Sequence, residues 1–385
     1  MATLHPDSIA IQYLLRHDVV ELFKQSPRKQ ILLIGTPYHV PSKQFNDHNI
    51  PFNQIEYFGN FDKEYGHLLP EIRCGDIKVV FIMSDAWNTC NRHETHLTYN
   101  GNFLTLDIYN LLYRKVTELG IKEHSVFSTP SSTTDLEQHD DWPAIPFTEP
   151  FNRYFDFQKF SPFTPKSGNF KYRYLWLNRR SRAHRIYALH QAFRLKMMDK
   201  AKYTFHNFNE VELGWEHFKS ELNVFLEDDE IDLTFLKYQT DAVDPQYRVK
   251  NDDQDIPELV QLGITSEQCA LEIVSEFNCS NNKSFLTEKV SRSIVMGNPF
   301  IILGDANSLS ELHRMGFKTF DKWIDESYDS ILNAKDRMDA GLLAAREFTL
   351  EYYDDELNDV LEYNYNHYFG GYKRQQIALA QGIFK

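Results

Sequence analysis

Short apolar runs recur along this chain, and stretches with helical spacing separate them. The runs cover residues 30–37, 78–85, 125–130, 170–178, 271–277 and 299–304. Helical spacing occupies residues 9–23, 104–119, 181–198, 286–296, 308–315 and 334–369. Continuous apolar runs of this length are typical of parallel strands that are buried on both faces. Their alternation with helices predicts an α/β fold built on doubly wound parallel sheets.

The length of 385 residues exceeds what a single hydrophobic core usually serves, so the chain is expected to contain two domains. A segment rich in proline, residues 131–168, has no sustained period and predicts an irregular connection between them. The predicted boundaries give an N-terminal domain with its connection at 1–165 and a second domain at 166–345. Two Rossmann-like sheets that face each other across a cleft suit the joining of two large substrates.

Composition excludes several classes of protein. The net charge of −14 gives no general basic excess for nucleic-acid binding, although it is compatible with a local basic face. The four cysteines are scattered without CxxC spacing, which argues against a zinc site. The N-terminus has no signal-peptide pattern, and no apolar run is as long as a membrane span. We therefore expect a cytoplasmic chain without a membrane span.

A basic turn follows the predicted strand at 170–178. It contains Asn178, Arg179, Arg182 and Arg185 at the start of a predicted helix. Arginines at this end of a helix are explained if they bind a phosphate, which the helix N-terminus also favours. The alternative is a solvated turn that pairs with the acidic segment at 209–258.

A second polar cluster links the strand at 271–277 to the next helix. Glu276 and Glu288 are positioned to accept hydrogen bonds from sugar or ribose hydroxyls, and Lys289 to neutralise a diphosphate. The alternative is a capping arrangement, with Ser284 as the N-cap and Thr287 and Glu288 in the first turn.

The stretch at 285–304, with its Glu288–Lys289 pair before a Gly-Asn-Pro strand, resembles the donor-site signature of fucosyltransferase-like GT-B glycosyltransferases. The continuation through residue 329 and the basic turn are similar to glycosyltransferases of bacteriophages. The resemblance implies a GT-B fold, in which a C-terminal helix, here 346–385, braces back toward the N-terminal domain.

The same resemblance implies a nucleoside-diphosphate sugar as donor, with a UDP-sugar favoured, and no cofactor or metal. Arg182 or Arg185 and Lys289 would contact the diphosphate, while Glu276 and Glu288 would contact donor hydroxyls. The similarity to bacteriophage glycosyltransferases implies 5-hydroxymethylcytosine, or another hydroxymethylpyrimidine in DNA, as acceptor. Transfer would be inverting.

An inverting transfer needs one general base for the acceptor hydroxyl. Asp85 is the first candidate because it follows an apolar strand in the N-terminal half, and neighbouring Trp87 is a candidate for stacking on the acceptor. The reserves for this acceptor side are His39, His93 and Glu94. The alternative for Asp85 is a turn residue that caps the next helix.

Two other functions stay open on the sequence. One is the same chemistry on a polysaccharide, a lipid-linked sugar or a protein. The other is a non-catalytic protein that binds a nucleotide sugar or a nucleic acid.

Overall fold

A computed structural model describes residues 30–35, 65–82, 97–99, 102–104, 108–129, 139–142, 144–146, 151, 154, 162–178, 182–204, 266–276, 279, 286–349, 351 and 353–384. The chain divides into two compact units, one formed by Met1–Asp156 with Gly371–Lys385 and the other by Phe157–Gly370. The sequence analysis placed the boundaries near 165 and 345. The helix predicted at 9–23 and the acidic segment at 209–258 lie outside the described residues.

The strands are β1 (Gln30–Gly35), β2 (Ile77–Ile82), β3 (Leu97–Tyr99), β4 (Asn102–Leu104), β5 (Ser125–Thr129), β6 (Ala144–Pro146), β7 (Tyr172–Leu177), β8 (Ala201–Thr204), β9 (Cys269–Ser275) and β10 (Phe300–Leu303). The helices are α1 (Leu69–Arg73), α2 (Ile108–Glu118), α3 (Ala183–Arg194), α4 (Glu288–Val295), α5 (Ser308–Arg314), α6 (Ala334–Glu347), α7 (Asp355–His367) and α8 (Lys373–Phe384). The described helices include none that is both long and apolar enough to cross a bilayer.

The first unit contains a four-stranded parallel sheet in the order β1-β2-β5-β6. Its hydrophobic core lies where α1 and α2 contribute apolar side chains beside β2 and β5. The buried members of this core are Ile72, Ile77, Val79, Phe81, Leu112, Val116, Leu119, Ile121, Phe127 and Trp142. The predicted parallel α/β arrangement is therefore present in this unit, and α8 belongs to the same unit.

The proline-rich segment is not wholly irregular, contrary to the sequence-based expectation. Ala144–Pro146 forms β6, which pairs with β5 and ends the sheet as described. Trp142 anchors the approach to this strand, because its indole N–H donates to the Ser125 carbonyl at 3.0 Å. An edge strand tolerates proline, since one side of its backbone needs no ladder partner.

The second unit contains another four-stranded parallel sheet, in the order β10-β9-β7-β8. All seven residues of β9 are buried, as expected for a central strand that is covered on both faces. The predicted strands at 170–178, 271–277 and 299–304 are confirmed as β7, β9 and β10. Strand β8 was not predicted, because it has four residues, all only half-buried.

Helices α3 and α6 pack together in the second unit, and α6 also contacts β10. The Tyr187 hydroxyl of α3 donates to the Asp339 carboxylate of α6 at 2.8 Å. On β10, the Ile302 amide donates to the buried Tyr328 hydroxyl at 3.0 Å, which satisfies a backbone group of this strand.

The helix predicted over 334–369 is two helices. Helix α6 ends where Phe348 adopts an extended conformation, and α7 begins after Asp354, whose carboxylate accepts from the Leu357 amide at 2.8 Å. The N-cap carboxylate starts a new helix here, and apolar spacing alone did not reveal the interruption.

Candidate functional site

The candidate site lies at the carboxyl edge of the second sheet, where three neighbouring strands end together. Asn178 follows β7, Glu276 follows β9 and Gly304 follows β10. The pairing of Leu175 with Glu272 sets Asn178 level with Ser275, and the pairing of Leu303 with Ser275 sets Gly304 level with Glu276. This edge is where open α/β sheets bind ligands.

The Glu276 carboxylate is buried and holds the start of α4. Its Oε1 accepts from the Thr287 amide at 2.8 Å, and its Oε2 accepts from the Thr287 hydroxyl at 2.6 Å. Burial raises the pKa of Glu276, and the ammonium of Lys289, 3.9 Å from Oε2, opposes that rise. A carboxylate at a helix N-terminus is favoured by the helix dipole, so this contact also stabilises the helix.

Thr287 is the N-cap of α4, whereas the capping alternative of the sequence analysis named Ser284, which lies outside the described residues. The Thr287 hydroxyl oxygen accepts from the Lys289 amide at 3.3 Å and from the Lys289 ammonium at 3.0 Å. The same ammonium donates to the Glu288 carboxylate at 3.0 Å. Thr287, Glu288 and Lys289 therefore form a connected polar group around Glu276.

Arg185 and His184 bind the main chain at the end of β9. The Arg185 guanidinium donates to the carbonyls of Ser275 at 3.2 Å and Glu276 at 2.9 Å, and His184 Nε2 lies 3.1 Å from the Glu276 carbonyl. Both side chains are buried. They fix the backbone that carries the Glu276 carboxylate.

The charge states of these two residues follow from their surroundings. Burial, with the charges of Arg185 and Arg182 adding to it, lowers the pKa of His184 well below its ordinary value. His184 is therefore neutral near pH 7, with its proton on Nε2, since a carbonyl can only accept. Burial lowers the pKa of Arg185 to about 9, which leaves the guanidinium charged at neutral pH.

Asn178 carries an unsatisfied buried amide. The residue is 2% exposed, and neither its Nδ2 nor its Oδ1 has a hydrogen-bond partner among the residues that the structure describes. Its backbone is held firmly, because its amide donates to the Thr204 carbonyl at 3.1 Å. A buried polar group of this kind costs about 1–3 kcal/mol, a cost that a ligand contact would offset.

Helix α3 starts five residues after Asn178. Arg182 is its N-cap in an extended conformation, and the arginine side chain makes no capping hydrogen bond. No acidic residue lies in the first turn of this twelve-residue helix. Its first backbone N–H groups and the positive end of its dipole therefore favour an anion.

Gly304 allows β9 and β10 to end close together. A Cβ atom on Gly304 would lie 3.0 Å from Glu276 Cβ and 3.2 Å from Ile302 Cγ2. The glycine that sequence analysis interpreted as part of a tight turn is thus also required by the packing of Glu276.

Arg337 supports the same strand end from α6. Its Nε donates to the Gly304 carbonyl at 3.0 Å, and its Nη2 donates to the Cys279 carbonyl. Sequence analysis missed this residue, because nothing in a helical sequence indicates that a buried arginine will reach a strand 33 residues earlier. Thr287 had appeared there only as part of a capping alternative.

Six of the predicted donor-site residues lie at this edge or in the first turns of its helices: Asn178, Arg182, Arg185, Glu276, Glu288 and Lys289. Arg179 lies outside the described residues, as do the acceptor-side residues Asp85, Trp87, His39, His93 and Glu94. Within the described ranges, His, Cys, Asp and Glu side chains form no group of three or more that could hold a metal ion.

Comparisons with protein-family models, with curated proteins and with solved structures give no match to this chain.

Proposed function

We propose that the protein is a GT-B-type glycosyltransferase whose second unit binds a nucleoside-diphosphate sugar. One observation carries the proposal. The N-termini of α3 and α4, the cations Arg182 and Lys289, and the unsatisfied Asn178 amide all belong to the carboxyl edge of one parallel sheet. A second parallel sheet in the other unit is compatible with the two-sheet plan of that fold.

The diphosphate is the leaving group in this proposal. Negative charge develops on it as the bond to the sugar breaks, and preorganised N–H groups and cations stabilise that charge. The first-turn amides of α3, Arg182 and the Lys289 ammonium are the donors assigned to this task. Lys289 is held in place by Thr287 and Glu288 before any ligand arrives.

Glu276 and Glu288 are the assigned acceptors for donor hydroxyls. An ionised carboxylate accepts about four hydrogen bonds, and the two bonds from Thr287 leave capacity on Glu276. The resemblance implied Arg182 or Arg185 as the arginine that contacts the diphosphate. Arg185 instead binds the main chain of Ser275 and Glu276. Arg182 is therefore the arginine that we assign to the diphosphate.

The proposed transfer is inverting and independent of metal and cofactor. The acceptor oxygen attacks the anomeric carbon, the bond from that carbon to the diphosphate oxygen breaks, and the acceptor proton passes to a general base. Asp85 is the proposed base, with His93, Glu94 and His39 in reserve. We propose a UDP-sugar as donor and 5-hydroxymethylcytosine in phage DNA as acceptor, which places the reaction in the cytoplasm of the host cell.

Replacement of Lys289 tests the donor site. We expect Lys289→Ala to lower turnover of a UDP-sugar at least tenfold, because about 1.4 kcal/mol or more of leaving-group stabilisation is lost. The measurement is release of UDP over time, with thermal unfolding to show that the variant is folded. Lys318→Ala, which removes an exposed lysine elsewhere in the second unit, is the matched control. Wild-type turnover in Lys289→Ala would remove Lys289 from the site.

A further inference from the structure

Positive charge is concentrated in one part of this acidic chain. Residues 166–203 contain eleven lysines and arginines and one aspartate, which is a net charge of +10 in a protein whose total is −14. The described parts of this stretch form β7, α3 and β8 of the second unit.

Four of these lysines define what we call the basic surface: Lys171, Lys196, Lys200 and Lys202. The first three are exposed and Lys202 is half-buried. Lys171 precedes β7 and Lys200 precedes β8, and the two strands are parallel with Tyr174 opposite Ala201. The surface therefore lies at the amino edge of the sheet, opposite to the edge that carries Glu276.

The exposed lysines of this surface have no ion-pair partner in the described ranges. Lys171, Lys196 and Lys200 all lack such a partner, as exposed Lys318 also does, whereas exposed Lys322 pairs with Glu356. Several cations on one surface favour an anionic partner with several charges.

An aromatic ring lies among these cations. The ammonium groups of Lys171 and Lys202 lie 5.1 Å and 5.9 Å from the ring centroid of half-buried Tyr172. An aromatic ring among cations suits a nucleic-acid strand, because phosphates meet the cations and a base stacks on the ring.

We propose that the basic surface binds single-stranded nucleic acid, whose unpaired bases are free to stack. A membrane fits less well, since interfacial binding needs inserted apolar side chains. The large exposed apolar residues of the described chain lie elsewhere, at Leu332, Leu343, Tyr363 and Ile377. The surface binds the strand whether or not a donor nucleotide is present, so this proposal goes beyond sugar transfer.

The test uses the full chain and a fluorescently labelled DNA single strand of about 16 nucleotides, which is the upper end of the length bound by single-strand-binding OB-fold domains. Anisotropy is measured over a series of salt concentrations. The variant Lys171→Glu/Lys196→Glu/Lys200→Glu is expected to lose at least tenfold in affinity. Its slope of log affinity against log salt should fall by about 2, because about 0.7 is lost for each single-strand phosphate contact.

The matched control is Arg114→Glu/Lys318→Glu/Lys322→Glu, which reverses three exposed charges elsewhere and changes the net charge equally. It is expected to bind as the wild type does. Thermal unfolding checks the fold of both variants, and Lys171→Gln/Lys196→Gln/Lys200→Gln replaces the first variant if it does not fold.

Equal losses in variant and control would overturn the proposal, because net charge and not the surface would then explain binding. Absence of wild-type binding, or binding of acidic phospholipid vesicles without binding of DNA, would overturn it as well. UDP-dependent thermal stabilisation, measured on the same variants, stays unchanged if the donor site exists. The experiment thereby distinguishes a wrong assignment of the basic surface from a wrong assignment of the donor site.

Discussion

At the scale of single residues, the site combines firmly held groups with the buried amide of Asn178. Glu276 is held through its carbonyl by Arg185 and His184 and through its carboxylate by Thr287. Asn178 lies level with the end of β9, and its buried amide has no partner in the described part of the chain. A contact with a ligand would offset the cost of burying this amide.

Asn178→Leu separates stability from binding. We expect the free energy of unfolding of the variant to exceed that of the wild type by about 1 kcal/mol, because an apolar side chain of similar size needs no hydrogen bond. We also expect its affinity for UDP to fall at least tenfold. Chemical denaturation and calorimetric titration measure the two quantities. Lower stability with unchanged affinity would mean that the amide is structural.

Sequence analysis found most residues of this edge but not their contacts. The arginines of the basic turn were evident from residue type and spacing. Arg185 binds the main chain of Ser275, which lies 90 residues later in the sequence. Local sequence patterns cannot indicate a contact between residues so far apart. The cap of α4 was ambiguous for a related reason, since both Ser284 and Thr287 have hydroxyls, and only the place of Glu276 selects Thr287.

At the scale of elements, the start of α4 is tied to the end of β9 through Thr287. We expect Thr287→Val to lower the free energy of unfolding by about 1–2 kcal/mol, because the helix loses its cap and Glu276 loses the hydroxyl donor. Thr287→Ser keeps the hydroxyl and is the matched control. Urea denaturation of the three proteins provides the comparison, and a Thr287→Val protein as stable as the wild type would show that the contact contributes nothing.

The segment after α5 carries a carboxyl with an unusual titration. The Thr319 hydroxyl donates to Glu326 at 2.7 Å and the Phe320 amide donates at 2.6 Å, while burial raises the Glu326 pKa to about 7. Nearby Asp329 has its pKa raised to about 6, again mainly by burial. Both groups bind a proton more tightly in the folded chain than in the unfolded chain.

The contribution of Glu326 to the stability of the protein is therefore expected to fall as pH rises from about 4.5 to about 7, since the folded state must release a proton that the unfolded state has already lost. Glu326→Gln keeps the hydrogen-bonding shape without the titration, so its melting temperature should depend less on pH. We expect the difference between pH 5 and pH 8 to shrink by a few degrees, as a change of about 1 kcal/mol or more would produce. Scanning calorimetry of both proteins at the two pH values checks this prediction. An identical pH dependence of the two melting temperatures would show that Glu326 does not contribute to it.

The elements that sequence patterns revealed are the buried ones. Strands β2, β7, β9 and β10 have continuous apolar runs, and their positions followed from that signal. The missed strand β8 is half-buried along its length, and the missed strand β6 contains a proline at the sheet edge. Weak burial and edge position remove the patterns on which such predictions depend.

At the scale of the whole molecule, the chain consists of two units, each built on a four-stranded parallel sheet. Sequence alternation predicted this class of fold. The proposed acceptor side, which centres on Asp85, lies outside the described residues and stays a prediction. Charge is also segregated at this scale, because the basic stretch at 166–203 precedes the acidic stretch at 209–258.

The central claim is that the carboxyl edge of the second sheet binds a nucleoside diphosphate. Thermal unfolding with UDP, GDP, ADP, CMP and TDP, each repeated with EDTA, tests it most directly. At about 100 times its dissociation constant, a bound nucleotide adds about 2.7 kcal/mol of stability. We predict that UDP stabilises the protein with or without EDTA, and that Lys289→Ala weakens the effect. A melting temperature that none of the five nucleotides raises would contradict the account.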